Sequence, residues 1–430
     1  MATTHSAPAR WLQRAFDVDP DEIGAVIAGF TMFFLLFAGY FMLRPVRETM
    51  GIAGGVDNLQ WLFTGTFLAT LAAMPLFGWI AGRVRRRHIL YWVYGFFVAN
   101  LVVFAACFAL RPDDPWIARA FYIWLSVFNL MAISVAWSVL VDAFTTPQAK
   151  RLFALMAAGA SLGGLVGPLM GVVLVEPLGY PGLSLLSAAL LAGAALAARQ
   201  VHRWRDARPL PEGADTPPRH ALGGSPFAGA TEVLRSPYLF GIATFVLLLA
   251  SVSTFLYFEQ AALVEARFPR REDQTRVFGL IDTMVQALAI LSQLFITGRV
   301  AKSLGVGVLL VAVPLVMAAG FLWLAFAPVF AVLVVVMVAR RAGEYAFVRP
   351  GREMLYTVVP AEAKYKAKNF NDTVVYRGAD AVSGWVKAGI DMVAQQPAVA
   401  MVVGTGLAVA WAANGAWLGR AQRRLGALPD

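Results

Sequence analysis

The chain has 430 residues, of which 59% are hydrophobic and only 14% are charged. Soluble domains carry about 25% charged residues, so this composition excludes an ordinary soluble enzyme and favours a protein that crosses a membrane several times. Cys107 is the only cysteine, which excludes a disulfide framework. The four histidines are far apart in sequence: His5, His88, His202 and His220. We therefore predict neither a metal site nor a cofactor.

Apolar runs of about 20 residues, the length that crosses a membrane as a helix, recur along the chain. Six runs lie in the N-terminal half, at 24–43, 59–82, 89–110, 120–141, 152–175 and 177–198. A polar stretch rich in proline and basic residues follows, from Arg199 to about Ser236. Its composition is typical of a linker.

Six more spans are predicted after this linker. The seventh and eighth occupy 237–258 and 277–298, and Asp282 interrupts the eighth. The uncharged run 303–339 is too long for one span, so we place a break at Ala327-Pro328 between the ninth and the tenth. The eleventh and twelfth spans are predicted at about 371–393, which carries several charges, and about 398–418.

The predicted fold class is an all-α polytopic membrane protein. Its parts are an N-terminal segment at 1–22, six-helix bundles at 23–199 and 236–419, a linker at 200–235 and a tail at 420–430. Six spans, a linker and six spans resemble the major facilitator superfamily, in which each half consists of two inverted three-helix repeats.

Two motifs add to this resemblance. The basic loop 78–87 is similar to the superfamily's loop motif after the second helix, and the glycine-rich run 163–171 resembles its antiporter motif. Small residues at this spacing allow close helix packing, although glycines are frequent in membrane helices of many kinds.

Lysine and arginine residues accumulate in the connections on one side of the predicted bundle, which is the cytoplasmic side by the positive-inside rule. They are Arg83, Arg85, Arg86, Arg87, Lys150, Arg151, Arg199, Arg203, Arg205, Arg208, Arg219, Arg299, Lys302, Lys364, Lys366, Lys368, Arg420, Arg423 and Arg424. We expect both termini in the cytoplasm, no signal peptide in 1–22, and a bacterial inner membrane location. The net charge of +10 then reflects topology, and nucleic-acid binding is not predicted.

The pentapeptide Arg-Pro-x-Arg-Glu occurs twice, at 44–48 in the first span and at 349–353 in the tenth. In the resembled fold these two helices are antiparallel and line the central cavity, which would put one arginine pair toward each mouth. Arginine grips phosphate or carboxylate oxygens with two parallel hydrogen bonds. The candidate substrate-binding arginines are Arg44, Arg47, Arg340, Arg341, Arg349 and Arg352. The alternative is that those of the pentapeptides only pair with Glu48 and Glu353 or reach lipid headgroups.

Other ionisable residues lie within predicted spans, where an unpaired charge costs about 2.5–3.5 kcal/mol. We assign Glu259 and Arg377 to substrate binding. Glu259 is also a candidate to carry a proton or to close an ion gate with an arginine. The residues assigned to gating or coupling are Glu48, Glu353, Asp282, Asp372, Asp380 and Lys387. Arg377 and Asp380 are three residues apart and are expected to pair.

The sequence around the two pentapeptides resembles the nucleotide transporter family, the ATP:ADP antiporters of plastids and intracellular bacteria. Arg47-Glu48-Thr49-Met50 is similar to that family's Lys-Asp-Thr-Leu, and Arg352-Glu353-Met354-Leu355-Tyr356 to its Lys-Glu-Met-Ala-Tyr. The positions that follow match in spacing: Lys364, Lys366, Lys368, Asp372 and Arg377. The segment 145–151 is also similar. The resemblance implies nucleotide transport through the cations at Arg47 and Arg352.

The leading hypothesis is an alternating-access antiporter for nucleotides such as ATP and ADP or for a related phosphorylated anion. The alternatives are a proton-coupled transporter of another organic anion and a non-transporting scaffold or sensor that keeps the fold. No nucleophile–base pair and no phosphate-binding Gly-x-x-x-x-Gly-Lys loop occurs in the sequence, so we do not expect an enzyme. The expected partners are a small anion and the lipid bilayer, with the chain acting as a monomer.

Overall fold

The computed structural model describes residues 18–83, 86–208, 227, 229–394 and 396–426. Most of the predicted N-terminal segment 1–22, part of the basic loop 78–87, most of the predicted linker 200–235 and the end of the tail lie outside the described residues. In the described part of the chain the secondary structure is helical throughout, as the composition predicted.

The last of the first five helices ends at Asp206, within the predicted linker 200–235. The five helices are α1 Ile23–Ala53, α2 Leu59–Arg83, α3 Arg86–Leu110, α4 Pro115–Ala143 and α5 Thr146–Asp206. The helices that follow are α6 Ala230–Arg235, α7 Pro237–Arg267, α8 Arg271–Ser292, α9 Gly298–Phe326, α10 Phe330–Gly343, α11 Arg349–Leu355, α12 Ala361–Phe370, α13 Tyr376–Ala394 and α14 Pro397–Leu425. Short 3₁₀ turns occupy Val56–Asn58 and Tyr356–Val358.

Eight helical stretches of the described chain are long and apolar enough to cross a membrane. Two of them, Thr146–Asp206 and Arg271–Phe326, contain a residue with left-handed backbone geometry, Gly179 at φ 59° and Gly305 at φ 77°. Glycine adopts this geometry without steric penalty, so each stretch consists of two helices that meet there. The predicted tenth and eleventh spans are also helical but carry too many charges to be counted among the eight.

Span boundaries agree with the sequence at two points and differ at a third. The break predicted at Ala327-Pro328 is present, because α9 ends at Phe326 and α10 begins at Phe330. The first helix contains the first pentapeptide near its end, as predicted, and continues to Ala53. The predicted gap between 298 and 303 is wrong, since helical structure continues to a break at Gly305.

Three π-helical turns interrupt the C-terminal helices, at Gln293–Thr297, Glu344–Val348 and Asn371–Val375. The second turn immediately precedes the second pentapeptide. Pro350 has no backbone N–H, and its ring would clash with the carbonyl of Ala346 in a regular α-helix. The wider turn relieves this clash, and the Arg349 N–H donates to the carbonyl of Glu344, five residues earlier.

The carbonyls released by this turn accept hydrogen bonds from the neighbouring π-helical turn. Thr297 donates its hydroxyl to the Ala346 carbonyl at 2.8 Å, and the Gln293 amide donates to the Tyr345 carbonyl at 3.0 Å. A buried carbonyl without a partner costs free energy, so these side chains stabilise the irregular backbone. The two π-helical turns therefore depend on each other.

Contacts divide the chain into two compact units. The first consists of Met1–Val46, Leu76–Asp113 and Val127–Gly223. Within it the glycines of α5 lie directly against the backbone of α1. A Cβ atom placed on Gly163 would lie 2.5 Å from the Phe34 carbonyl oxygen, and one on Gly167 would lie 2.6 Å from that of Ala38. The predicted close packing of the 163–171 motif is confirmed.

The second unit consists of Arg47–Pro75, Asp114–Ser126 and Gly224–Asp430. Its apolar core lies among α7, α9 and α14, where Phe245, Phe321 and Trp411 are fully buried. The ends of α1, α2 and α4 that belong to this unit pack against α7 and α8 through a smaller aromatic cluster that includes Tyr122 and Phe258.

We expect Thr297→Val to lower the free energy of unfolding by about 1–3 kcal/mol, because the isosteric valine leaves the Ala346 carbonyl without a hydrogen bond. Thermal unfolding in detergent measures this loss. Thr283→Val in α8 is the matched control, since its hydroxyl bonds only to the Gly279 carbonyl of its own helix. Equal stability of the two variants would contradict the mutual support of the two turns.

Candidate functional site

All predicted site residues except Arg44 belong to the second unit. Arg44 belongs to the first, where its guanidinium lies 5.8 Å from the ring centroid of Phe41. The two pentapeptides, which are identical in pattern, therefore differ in their surroundings. The site described below is formed by Arg47 and by charged residues of α7, α8, α10, α11 and α13, with the two π-helical turns that follow α10 and α12.

Arg47 is held by the end of α1 against α4. Its Nε donates to the Tyr122 carbonyl at 3.3 Å, and its Nη1 donates to Glu48 at 3.0 Å. The guanidinium carbon lies 4.0 Å from the centroid of the Tyr122 ring, which is a cation–π contact. These contacts orient the cation inside the unit.

Arg340 and Arg341 are adjacent in α10, and both are buried, with 8% and 6% of their surface exposed. Arg340 donates to the Ser253 hydroxyl at 2.6 Å and to Glu344 at 3.2 Å. Arg341 forms an ion pair with Asp282 of α8. The acid that interrupts the eighth predicted span is thus the counter-ion of a buried arginine, which explains its presence there.

The arginines of the second pentapeptide do not pair with Glu353, the acid of their own motif. Arg349 pairs with Glu344 at 3.5 Å, and Arg352 pairs with Asp372 at 3.0 Å. Glu353 instead accepts a hydrogen bond from Lys368 at 2.7 Å. The alternative of pairing within the pentapeptide is therefore wrong for this copy, whereas Arg47 of the first copy does pair with Glu48.

The π-helical turn at Asn371–Val375 is the structural reason why Arg352 pairs with Asp372. It places Asp372 beside α11, while the α-helix resumes at Tyr376 and brings Arg377 within 3.4 Å of Asp380. The expected pairing of Arg377 with Asp380 is confirmed. Asp380 also accepts a hydrogen bond from Thr254 of α7 at 3.1 Å.

Glu259 lies apart from the arginines. It is 6% exposed and makes no hydrogen bond or ion pair to any described residue; its principal electrostatic interactions are with Lys387 and Asp391 of α13. Lys387 pairs with Asp391 at 2.6 Å. An ion gate between Glu259 and an arginine is therefore not observed among the described residues.

The site has more arginines than carboxylates that pair with them. Six arginines pair with five carboxylates, since Glu344 serves two of them, among the described residues. Because α8, the π-helical turn before α13 and α13 itself contribute acids, these arginines exceed their paired carboxylates by a single charge.

The buried ion pairs leave hydrogen-bonding groups of both partners unmatched in the described part of the chain, including the acceptors Oδ2 of Asp282 and Oε2 of Glu48. Nε of Arg340 and both Nε and one terminal nitrogen of Arg341 are buried and have no hydrogen-bond acceptor in the described part of the chain. Each buried donor left unmatched costs about 1–3 kcal/mol. The arrangement is suited to an anion with several oxygen atoms.

Two lysines of the connection after α11 contact other residues of that connection. Lys366 contacts Glu362 at 2.7 Å and Glu232 at 3.5 Å, and its hydrogen bond lowers the pKa of the Glu362 carboxyl. Lys364 lies 6.0 Å from the Tyr365 ring. These cations are exposed at the end of the unit that carries Arg352.

Several residues of the site were not predicted from the sequence. Tyr122 lies in an aromatic run that is typical of a lipid-facing helix, and Ser253 and Thr254 are short polar residues in an apolar span. Asp391 is near the predicted end of the eleventh span. Only their position against charged neighbours distinguishes them, and no sequence signal indicates that position.

Comparison with known proteins gives a family for the chain. Residues 29–338 match the sequence profile described as Major Facilitator Superfamily. No curated protein matches the sequence.

Three solved structures share the fold at low sequence identity. A bacterial homologue of the human lysosomal transporter Spinster, in an inward-facing and unoccupied conformation, has a TM-score of 0.61 at 14% identity, covering 96% of this chain and 100% of its own. A bacterial homologue of the iron transporter ferroportin in an inward-facing state has 0.64 at 11% identity, covering 91% and 98%. The nucleoside transporter NupG has 0.58 at 14% identity, covering 93% and 99%.

We expect Asp282→Asn to lower the free energy of unfolding by about 3–5 kcal/mol, because it leaves Arg341 buried without its counter-ion. The double variant Asp282→Asn/Arg341→Gln should recover part of this loss. Asp273→Asn in the same helix is the control, since its exposed pairs at 4.0 Å contribute about 0–1 kcal/mol. Equal losses for Asp282→Asn and Asp273→Asn would show that the buried pair does not form.

Proposed function

Because the chain belongs to the Major Facilitator Superfamily, and is thus an integral membrane transporter, we propose that it exchanges phosphorylated anions, specifically nucleotides such as ATP and ADP. One observation carries this proposal. Among the described residues of the second unit, six arginines share five carboxylates, and two of these arginines keep buried N–H donors without an acceptor. A substrate with several anionic oxygens offers acceptors to these donors.

Binding on this proposal is an exchange of ion pairs. In the unliganded site the carboxylates of Glu344, Asp282 and Asp372 occupy the arginines. A polyphosphate offers more negative charge and more acceptors than a carboxylate and competes for the same guanidinium groups. On this proposal the carboxylates offset most of the arginine charge in the absence of substrate, and the substrate releases them when it binds.

The similarity to the nucleotide transporter family supports the choice of nucleotide. In the segment 47–50 Arg47 contacts Tyr122, and in the segment 352–356 Arg352 pairs with Asp372. We assign substrate contact to Arg44, Arg47, Arg340, Arg341, Arg349, Arg352 and Arg377, and gating or coupling to Glu48, Glu353, Asp282, Asp372, Asp380 and Lys387. We further propose a monomer in a bacterial inner membrane with both termini cytoplasmic.

We propose that the gate on the predicted outer side consists of contacts that the end of α1 and the start of α2 make with α7 and α8. Thr49 and Thr275 share a hydrogen bond of 2.7 Å, and the Phe63 ring lies 5.3 Å from that of Tyr257. Separation of these contacts would expose Arg47 to the outer side and begin the outward half of an alternating-access cycle.

A second candidate function is proton-coupled transport of another organic anion, and Glu259 favours it. This carboxylate is buried without a hydrogen bond to the described residues, and its charged neighbour Lys387 is shared with Asp391. Uptake that requires a pH gradient and becomes independent of it in Glu259→Gln would support this candidate. Counterflow that persists in Glu259→Gln without a gradient supports nucleotide exchange.

We expect Arg47→Gln and Arg352→Gln each to reduce nucleotide counterflow into liposomes to background. Loss of one charged hydrogen-bond donor set weakens anion binding by roughly tenfold to a hundredfold. The double variants Arg47→Gln/Glu48→Gln and Arg352→Gln/Asp372→Asn keep the charge balance and should fold without recovering transport. Arg420→Ala, at an exposed position of α14, is the control that retains it.

Thermal stabilisation of the purified protein separates binding from transport. ATP and ADP should raise the melting temperature of the wild type and of Arg420→Ala with the logarithm of their concentration, and should not do so for the charge-balanced double variants. Stabilisation by a different anion alone, or normal counterflow in all four site variants, would refute the nucleotide assignment.

Cysteine substitution tests the proposed outer gate. In a background in which Cys107 is replaced by Ser, the pair Thr49→Cys/Thr275→Cys should form a disulfide under oxidation and stop exchange. A reductant should restore exchange, because the disulfide holds the outer gate closed. Each single cysteine variant is the control. Undiminished exchange by the oxidised, fully cross-linked protein would exclude these residues from the gate.

A further inference from the structure

A pocket of about 360 Å³ lies in the first unit, and none of the residues assigned to transport lines it. It is formed by the beginning of α3 and the end of α5. Its lining consists of His88, Tyr91, Arg199, His202, Arg203 and Asp206. Four of these six side chains are cationic or become cationic on protonation, and one is acidic, so the pocket favours an anion.

The helix geometry concentrates this charge. Arg199 and Arg203 are four residues apart in α5, and His202 lies between them on the same face. Like charges at this spacing destabilise a helix by about 0.2–0.5 kcal/mol. Neither arginine side chain forms an ion pair or a hydrogen bond with any residue in the described part of the chain. The unfavourable pair is explained if an anion neutralises it.

The position of the pocket indicates where that anion comes from. His88 immediately precedes the apolar run of α3, and Arg199 immediately follows the last apolar residues of the predicted sixth span. Directly on the apolar side, Trp92 and Leu196 have 69% and 63% of their surface exposed, as expected for lipid-facing residues. Tyr91, with an apolar ring and a polar hydroxyl, is a residue type enriched at the membrane–water interface.

We propose that this pocket binds the phosphate group of an anionic phospholipid, with the acyl chains lying along the exposed residues Trp92 and Leu196. Basic pockets between membrane helices on the cytoplasmic side recognise such headgroups. The two guanidinium groups of Arg199 and Arg203 hold the phosphate oxygens, and Tyr91 and the two histidines line the headgroup. The site is independent of the substrate that the protein transports.

Native mass spectrometry of the full chain, purified in detergent and delipidated, tests the proposal. Phosphatidylglycerol and phosphatidylcholine with identical acyl chains are added separately, and inorganic phosphate is added as a competitor. The pair Arg199→Gln/Arg203→Gln is compared with Arg420→Gln/Arg424→Gln, which removes two exposed arginines at the same four-residue spacing from the end of α14. Thermal unfolding without lipid establishes that both variants are folded.

We expect phosphatidylglycerol to bind the wild type and the α14 variant equally, to bind the α5 variant roughly tenfold more weakly, and to exceed phosphatidylcholine in all but the α5 variant. Millimolar phosphate should not displace it, because the acyl chains add apolar contact. Displacement by phosphate would assign the pocket to a soluble anion and overturn the lipid proposal. So would equal binding of both lipids, or equal losses in the two variants.

Discussion

The cost of holding charge inside a membrane governs the second unit. Every buried arginine there needs a counter-ion, and two of the counter-ions come from other helices: Arg341 of α10 reaches Asp282 of α8, and Arg352 reaches Asp372 next to α13. The cost of leaving such a charge unpaired is large compared with the net stability of a protein. The arrangement of the helices and the pairing of their charges consequently determine each other. Any movement of these helices must exchange the ion-pair partners of the arginines.

Under the proposed transport of nucleotides, this constraint gives a reason for the acids that accompany the arginines. A cavity with six unpaired guanidinium groups would bind a nucleotide so firmly that release would be slow, and it would be unstable when empty. Internal carboxylates such as Glu344 supply a competing ligand of lower charge. The affinity for substrate is then the difference between two sets of ion pairs, which leaves room for both uptake and release.

Much of the architecture was accessible from the sequence. The apolar runs located the helices, the proline after Ala327 located the break in the longest run, and the glycines of 163–171 predicted close packing. These signals are local, since each depends on residues within one helix or one turn. The nearness of Arg377 to Asp380 was predictable for the same reason.

The pairing of distant charges was not accessible, because it depends on which helices are neighbours and on their rotation. The sequence suggested Glu353 as the partner of Arg352, but the π-helical turn at Asn371–Val375 presents Asp372 instead. Tyr122 gave no signal at all, since an aromatic residue in an apolar helix is ordinary. Its role depends on the end of α1 continuing as a helix past Pro45.

The interlocked turns at Gln293–Thr297 and Glu344–Val348 have a consequence for how the sequence can change over time. Each turn holds one residue more than a regular α-helix needs, and losing that residue from the second turn would rotate everything after it by about 100°. Arg349 and Arg352 would then face different neighbours, while Thr297 would lose its acceptor. We therefore expect the lengths of these two helical segments to be conserved together. Point substitutions can accumulate there, but an insertion or deletion in one segment alone cannot be tolerated.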